Sequence, residues 1–331
     1  MIFDFQPSVY NNTNMDIILA GSIAYDYLMK FPGRFAEHIL PEKLHSITLS
    51  FLVESMVRLR GGIAPNIAYN LALLGGKSRL LATVGEDFDD YRQWLDSHGI
   101  DTSLVRVIPG LNTASFFANT DRDNNQISSF YPGAMSFASE LSLYDLEGKD
   151  PDLVVISPNE PLAMRRCVQE CQELFIPYFY DPSQQIVRME GEDLRKGVEG
   201  ARALFVNDYE YSLIQKATGM SQKDILDHVQ FLVVTLGEKG TAIFTSEETI
   251  EIPVVPPTKI VDPTGVGDAF RGGFLYGYSQ GWDLSFCGRL GALSATYCLE
   301  SNGPQGQSYT FKEYVARFRE HFEDNGLLDV K

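Results

Sequence analysis

The sequence is short of positive charge. Lysine and arginine together number 27 against 44 aspartates and glutamates, a formal net charge of −17. The basic residues form no local patch, which excludes a nonspecific nucleic-acid or anionic-membrane surface. An anionic ligand would have to be held by local positive potential from loop amides, helix ends and bound cations. Cysteine is scarce too: Cys167, Cys171, Cys287 and Cys298 are the whole set. Cys167 and Cys171 stand four apart on a predicted helix, a spacing that could hold a metal if histidines joined them, but none of the five histidines is near in sequence. Reduced, packed thiols are expected. No apolar run is long enough to span a bilayer, and residues 1–14 lack the basic start and apolar stretch of a signal peptide. A cytoplasmic protein is the expectation, with no nucleic-acid or membrane partner.

Two glycine signatures are missing as well. Gly-x-Gly-x-x-Gly does not follow the first predicted strand, which argues against a dinucleotide-dependent dehydrogenase. Gly75-Gly76-Lys77-Ser78 echoes the end of a phosphate-binding P-loop, but Leu71 stands where the earlier glycine is required and the segment follows a helix. It reads as a helix stop.

What is present is an ordinary globular composition, 331 residues with 44% hydrophobic and 21% charged, enough for one large domain and a smaller appendage. Residues 1–14 are polar and aperiodic and are expected to form an N-terminal extension to a single domain over 15–331. Residues 16–20 form a short apolar run closed by Gly21-Ser22, the pattern of a buried strand and turn. Asp26 follows in a predicted loop, where its carboxylate could accept hydrogen bonds from vicinal hydroxyls or simply be exposed. Residues 44–60 are β-prone, with Ile47, Leu49 and Phe51 followed by Met56, Val57 and Leu59, and predict two short strands. Next come Gly61 and Gly62, then Asn66 on a helix carrying Ile67, Leu71 and Leu74. Backbone bared by the glycines, with Asn66 one turn in, suits sugar hydroxyls; a structural turn is the alternative. Residues 79–84 read as a strand and 87–97 as a helix. Runs at 113–120 and 127–131 flank a polar turn and predict a hairpin. Together, about 27–60 and 111–134 are expected to make a small β lid. Phe116 and Phe130 on it could stack on a planar base or merely pack.

From about residue 150 strands alternate with helices: strands at 153–156, 178–180, 203–206, 231–235 and 242–244, with a helix from Pro161. The expected fold class is α/β, a predominantly parallel central sheet with helices on both faces plus the lid. Ligand loops should gather at the strands' carboxyl ends. The stretches 181–188, 207–210, 235–240 and the loop at Gly265 all fall there. In that loop Gly265, Val266 and Gly267 lead into a small-residue-rich helix whose first amides would form an anion site. A carboxylate there is repelled by phosphate, so Asp268 needs explaining. It is either a base taking a proton from a hydroxyl or a helix cap.

The run from Asp262 to Asp268, followed by Ala269-Phe270-Arg271-Gly272-Gly273-Phe274, resembles the signature of the ribokinase family of sugar and nucleoside kinases. Two positions depart from the usual pattern: Val266 stands where alanine is common and Pro263 where threonine is. Neither removes a backbone donor. The stretches 21–35, 129–135, 181–185 and 207–210 look like those of the bacterial adenosine kinases within that family. The resemblance implies transfer of the γ-phosphoryl group of ATP to the 5′-hydroxyl of adenosine, giving AMP in purine salvage. It assigns Asp268 as general base and the amides of Gly265, Val266 and Gly267 as anion hole. Ser22, Asp26, Gly61, Gly62 and Asn66 would hold adenosine, Phe116 and Phe130 would face its base, and Gln184 and Gln185 would read the purine edge. Thr235, Gly237, Gly240 and Asn207 would meet the nucleotide, with Asn207 and Glu210 acting on Mg2+ through water. Independently of the family, Asn207 and Glu210 also have the spacing of a helix-capping box, and residues 235–240 that of a hairpin turn. K+ beside Asp262 and Thr264, and a homodimer formed through the lid, are further implications. Alternatives are a kinase for ribose, inosine or guanosine, and a non-catalytic nucleotide-binding regulator.

Overall fold

The computed structural model describes residues 15–39, 45–46, 48–148 and 150–329. The chain opens with β1 (Ile17–Ala20), wholly buried, then β2 (Ala24–Lys30) and β3 (Ser55–Gly61). Helix α1 (Ile63–Leu73), β4 (Arg79–Val84), α2 (Asp89–Ser97) and β5 (Val105–Val107) follow. The hairpin comes next, β6 (Ala114–Thr120) and β7 (Gln126–Tyr131). The second half alternates: β8 (Leu153–Ile156), α3 (Pro161–Glu173), β9 (Tyr178–Tyr180), α4 (Gly191–Glu199), β10 (Ala203–Asn207), α5 (Asp208–Thr218), α6 (Gln222–Leu226) and β11 (Phe231–Thr235). It closes with β12 (Thr241–Phe244), β13 (Thr249–Ile252), α7 (Val266–Ser279), α8 (Leu284–Leu299) and α9 (Phe311–His321).

The large sheet runs β13-β12-β11-β10-β9-β8-β1-β4-β5; every neighbouring pair is parallel except β11–β12 and β12–β13, so β12 alone runs against the rest. Its strands are apolar on both faces because helices cover both. Alternate residues divide accordingly. Ile17 and Leu19 of β1 join Phe205, Phe231 and the α7 residues Phe270 and Phe274 in one core. Ile18 and Ala20 join Val154, Tyr180 and the α3 residues Met164 and Cys171 in the other. This is the layered α/β arrangement expected from the sequence.

A second sheet, ordered β3-β2-β6-β7, forms the appendage. Two details differ from the sequence reading. Asp26 lies mid-way along β2, not in a loop, because β2 pairs along its whole length with β3 on one side and β6 on the other. Among the described residues of 44–60 there is one strand, β3, instead of two. Leu49 is irregular, and Phe51 packs on Phe31, Phe35 and His38 in an aromatic cluster that takes its side chain out of any ladder. Leu44, Ile47 and the expected extension at 1–14 lie outside the described residues.

Candidate active site

Three chain segments meet at the carboxyl end of β1. Gly62 enters α1 at φ 92°, and a Cβ there would sit 2.5 Å from the Ser22 carbonyl oxygen and 2.6 Å from the Ala24 nitrogen. Only glycine permits that approach and that backbone angle. Ser22 is buried beneath it, its amide donating to the Pro158 carbonyl at 2.8 Å. Asp26 of β2 lies over Gly61, where an added Cβ would come 2.5 Å from its Oδ2. Burial, with the Asp262 carboxylate adding repulsion, pushes the Asp26 carboxyl up to about 6. Asp26, on the small sheet, and Asp262, in the loop between β13 and α7, are therefore close enough for their charges to interact.

The Asp262 carboxylate accepts from the Thr264 amide at 2.9 Å and the Gly303 amide at 3.0 Å, fixing the loop that leads to α7. The N-cap of α7 is Gly265, left-handed at φ 77° and without a side chain to cover the first amides. The Ala269 amide makes the first intrahelical bond, to the Gly265 carbonyl at 2.9 Å. The Val266 amide donates to the Pro263 carbonyl at a long 3.4 Å, while the amides of Gly265 and Gly267 have no acceptor among the described residues, an anion site by geometry. Asp268 sits at the third helical position, 8% exposed, and accepts from Asn66 Nδ2 at 2.9 Å. Its carboxyl is pushed up to about 7, chiefly by burial; Arg271 and the Asn66 hydrogen bond oppose this, and Asp181 and Glu210 add to it. One turn on, Arg271 makes a buried ion pair with Asp181: Nε lies 2.5 Å from Oδ2, and Nη2 donates a hydrogen bond to Oδ1 at 2.6 Å. A cation close behind the carboxylate keeps it ionisable in an apolar setting.

Asn207 and Glu210 form the capping box of α5: Asn207 Oδ1 accepts from the Glu210 amide, and Glu210 Oε2 from the Asn207 amide, each at 2.8 Å. Glu210 Oε1 also accepts from the Ser183 hydroxyl at 3.0 Å. Thr235 pairs with Asn207 across β10 and β11, so the turn that follows lies beside this box. That turn is a hairpin between β11 and β12, closed by the Leu236 amide to the Gly240 carbonyl at 2.8 Å, with Gly237 at φ 58° and Gly240 at φ 92°. On the small sheet Asp26, Phe116 and Phe130 stand opposite one another on adjacent strands, hence on one face; Phe116 is half-buried and Phe130 exposed. Gln184 is exposed, whereas Gln185 is buried and its Oε1 has no hydrogen-bond partner among the described residues.

The model of the pfkB family of carbohydrate kinases matches residues 33–310. The chain belongs to that family. A nucleoside kinase of Methanocaldococcus jannaschii is 32% identical over 307 residues, 92% of this chain and 97% of that protein. The solved structure of the M. jannaschii nucleoside kinase, an archaeal member of the ribokinase family, superposes with a TM-score of 0.83 at 31% identity, covering 93% of this chain and 99% of that one. The Burkholderia thailandensis nucleoside kinase in complex with inosine superposes at 0.82 with 41% identity, covering 92% and 98%; it has also been solved in complex with ADP-inosine. The fold is ribokinase-like.

The predicted residues fall into two groups in the structure. Ser22, Asp26, Gly61, Gly62, Asn66 and Asp268 converge on one side; Asn207, Glu210 and the turn from Thr235 to Gly240 lie along β10 and β11. No cluster of three or more histidine, cysteine or acidic side chains suited to direct metal ligation occurs among the described residues, and all four cysteines are free and buried. No described helix is long and apolar enough to cross a membrane. Sequence reasoning did not single out Arg271, although it stands inside the quoted motif three residues after Asp268, nor Tyr91, Trp94 and Gln305. The last three carry no local signal, since they meet the site only through the fold.

Proposed function

We propose that the protein is a nucleoside kinase that transfers the γ-phosphoryl group of ATP to the 5′-hydroxyl of a purine nucleoside, as a cytoplasmic salvage enzyme. The observation that carries this is Asp268: a buried, ionisable carboxylate on the first turn of a helix at whose start the Gly265 and Gly267 amides have no acceptor among the described residues. The nucleoside's vicinal hydroxyls donate to Asp26, and its base lies against Phe116 and Phe130. Asp268 accepts the 5′-hydroxyl proton as the new oxygen–phosphorus bond forms and the bond to the bridging oxygen of ADP breaks. The amides of Gly265, Val266 and Gly267 hold the charge on the transferring group. Closure of the small sheet as a lid excludes water and suppresses idle ATP hydrolysis.

Bound magnesium would neutralise charge on the nucleotide phosphates. Asn207 and Glu210 fit it through water, because their oxygens already serve the capping box and Ser183. Asp262 and Thr264 are the groups for a potassium ion beside the loop.

The motifs favour adenosine. Inosine is the second reading, favoured by the relative solved with it. The unfilled, buried Gln185 Oε1 matches either base, since adenine offers its amino group and hypoxanthine an N–H. ADP release with magnesium-ATP and adenosine, inosine, guanosine, cytidine or ribose, in potassium and in sodium, separates these. Purine-nucleoside-dependent turnover that falls on the order of 100-fold or more in Asp268→Asn is expected. Turnover with ribose alone, or an unimpaired Asp268→Asn, would refute the reading.

A further inference from the structure

Gln305, in the connection between α8 and α9, is 8% exposed and uses every polar atom of its amide. Its Nε2 donates to Asn66 Oδ1 at 2.9 Å and to the Tyr91 hydroxyl at 2.5 Å. The Tyr91 hydroxyl in turn donates to the Gly61 carbonyl at 2.9 Å. Gln305 Oε1 accepts from the indole Nε1 of Trp94 at 3.0 Å. An indole N–H is a donor and nothing else, whereas a carboxamide can present either end. Trp94 therefore decides which end of Gln305 is oxygen. The amide nitrogen of Gln305 must then face Asn66, and Asn66 must turn its oxygen to Gln305 and its nitrogen to Asp268.

We infer that Gln305 and Trp94 are positioning residues: the donor-only indole sets the polarity of a side-chain relay, Trp94 to Gln305 to Asn66, which presents an N–H to the Asp268 carboxylate. The inference rests on the reading of Asp268 as general base. Without the relay Asn66 is free to turn its oxygen towards Asp268, setting lone pairs against a carboxylate and making the base harder to ionise. The other groups facing Asp268 are Arg271 on its own helix, Asp181 after β9, Glu210 on α5 and Cys298 on α8. None of them is hydrogen-bonded to Trp94 or Gln305.

The test is the pH profile of kcat for the full-length protein and two variants. Gln305→Glu replaces the donor to Asn66 with an acceptor. Trp94→Phe removes the N–H together with one of the two fused rings and adds no polar group, leaving a smaller aromatic ring to pack under Arg60 and against Tyr69. Both should move the acidic limb upward, Gln305→Glu by on the order of one pH unit, with kcat down about tenfold at pH 6 and largely recovered at pH 8.5. Trp94→Phe should move it less and in the same direction. Folded variants with an unmoved limb, or with the same loss at every pH, overturn the relay. Asp268→Asn run alongside separates the claims. If it keeps turnover, the base assignment falls and the relay with it; if it loses turnover while the limb stays put, the relay alone falls.

Discussion

At the scale of single residues the site is a set of carboxylates held away from their preferred state. Burial raises Asp268 to about 7 and Asp181 to about 6, and burial with Asp262 raises Asp26 to about 6, against an ordinary value of 3.8. Each binds its proton more tightly folded than unfolded. Their contribution to stability is therefore present below about pH 4 and lost as pH rises through 6 to 7. Asp268→Asn should raise the thermal midpoint of the ligand-free protein more at pH 8 than at pH 5. Calorimetry at the two pH values checks this, and an equal rise at both would contradict the burial argument. Asp268 was legible in the sequence because an acid directly after a glycine loop has few uses. Asn66 was legible as a site residue, but its bond to Asp268 was not: the two are 202 positions apart, and spacing along a chain carries no information at that range. The same distance hid Gln305.

Among the elements, α7 carries the site and is clamped on two sides. A Cβ at Gly272 would lie 2.5 Å from Asn70 Cβ and 2.8 Å from the Ile67 carbonyl of α1; one at Gly273 would lie 2.5 Å from Ser294 Oγ and 2.7 Å from the Leu290 carbonyl of α8. Behind the nearest side-chain atom a backbone carbonyl lies within 2.8 Å in each case, so the helices must separate to admit a methyl group. Gly272→Ala should cost roughly 1–3 kcal/mol in urea denaturation and also lower kcat, since it pushes Asp268 away from Asn66. Loss of stability with kcat intact would show that the α1–α7 spacing does not set the site. The parallel strands of the second half were readable as apolar runs between helices. Strand β2 was not, because Tyr25, Asp26 and Tyr27 interrupt the apolar signal and its pairing with β3 and β6 comes from elsewhere in the chain. The second strand expected before β3 failed for the opposite reason. Its β-prone side chain Phe51 is used in a cluster of rings.

For the whole molecule the small sheet poses the question of association. The face opposite Asp26 carries Met56, Phe117 and Ile127, which are 63%, 37% and 44% exposed, and β3 and β7 are the edge strands of the sheet among the described residues. Two copies covering these faces would bury an apolar surface that a lone chain leaves in water. A dimer at micromolar concentration is expected by light scattering, reverting towards monomer in Met56→Lys; a monomeric parent protein would rule it out.

The bond between Asn66 and Gln305 spans 239 positions, and that between Asn70 and Gln307 spans 237. Central strand β1 likewise waits for β8 before both its edges are paired. During synthesis, then, Asn66 and Asn70 emerge from the ribosome more than two hundred residues before Gln305 and Gln307, the side chains they bond. A nascent chain stalled before Gln305 would hold Asn66 without that partner.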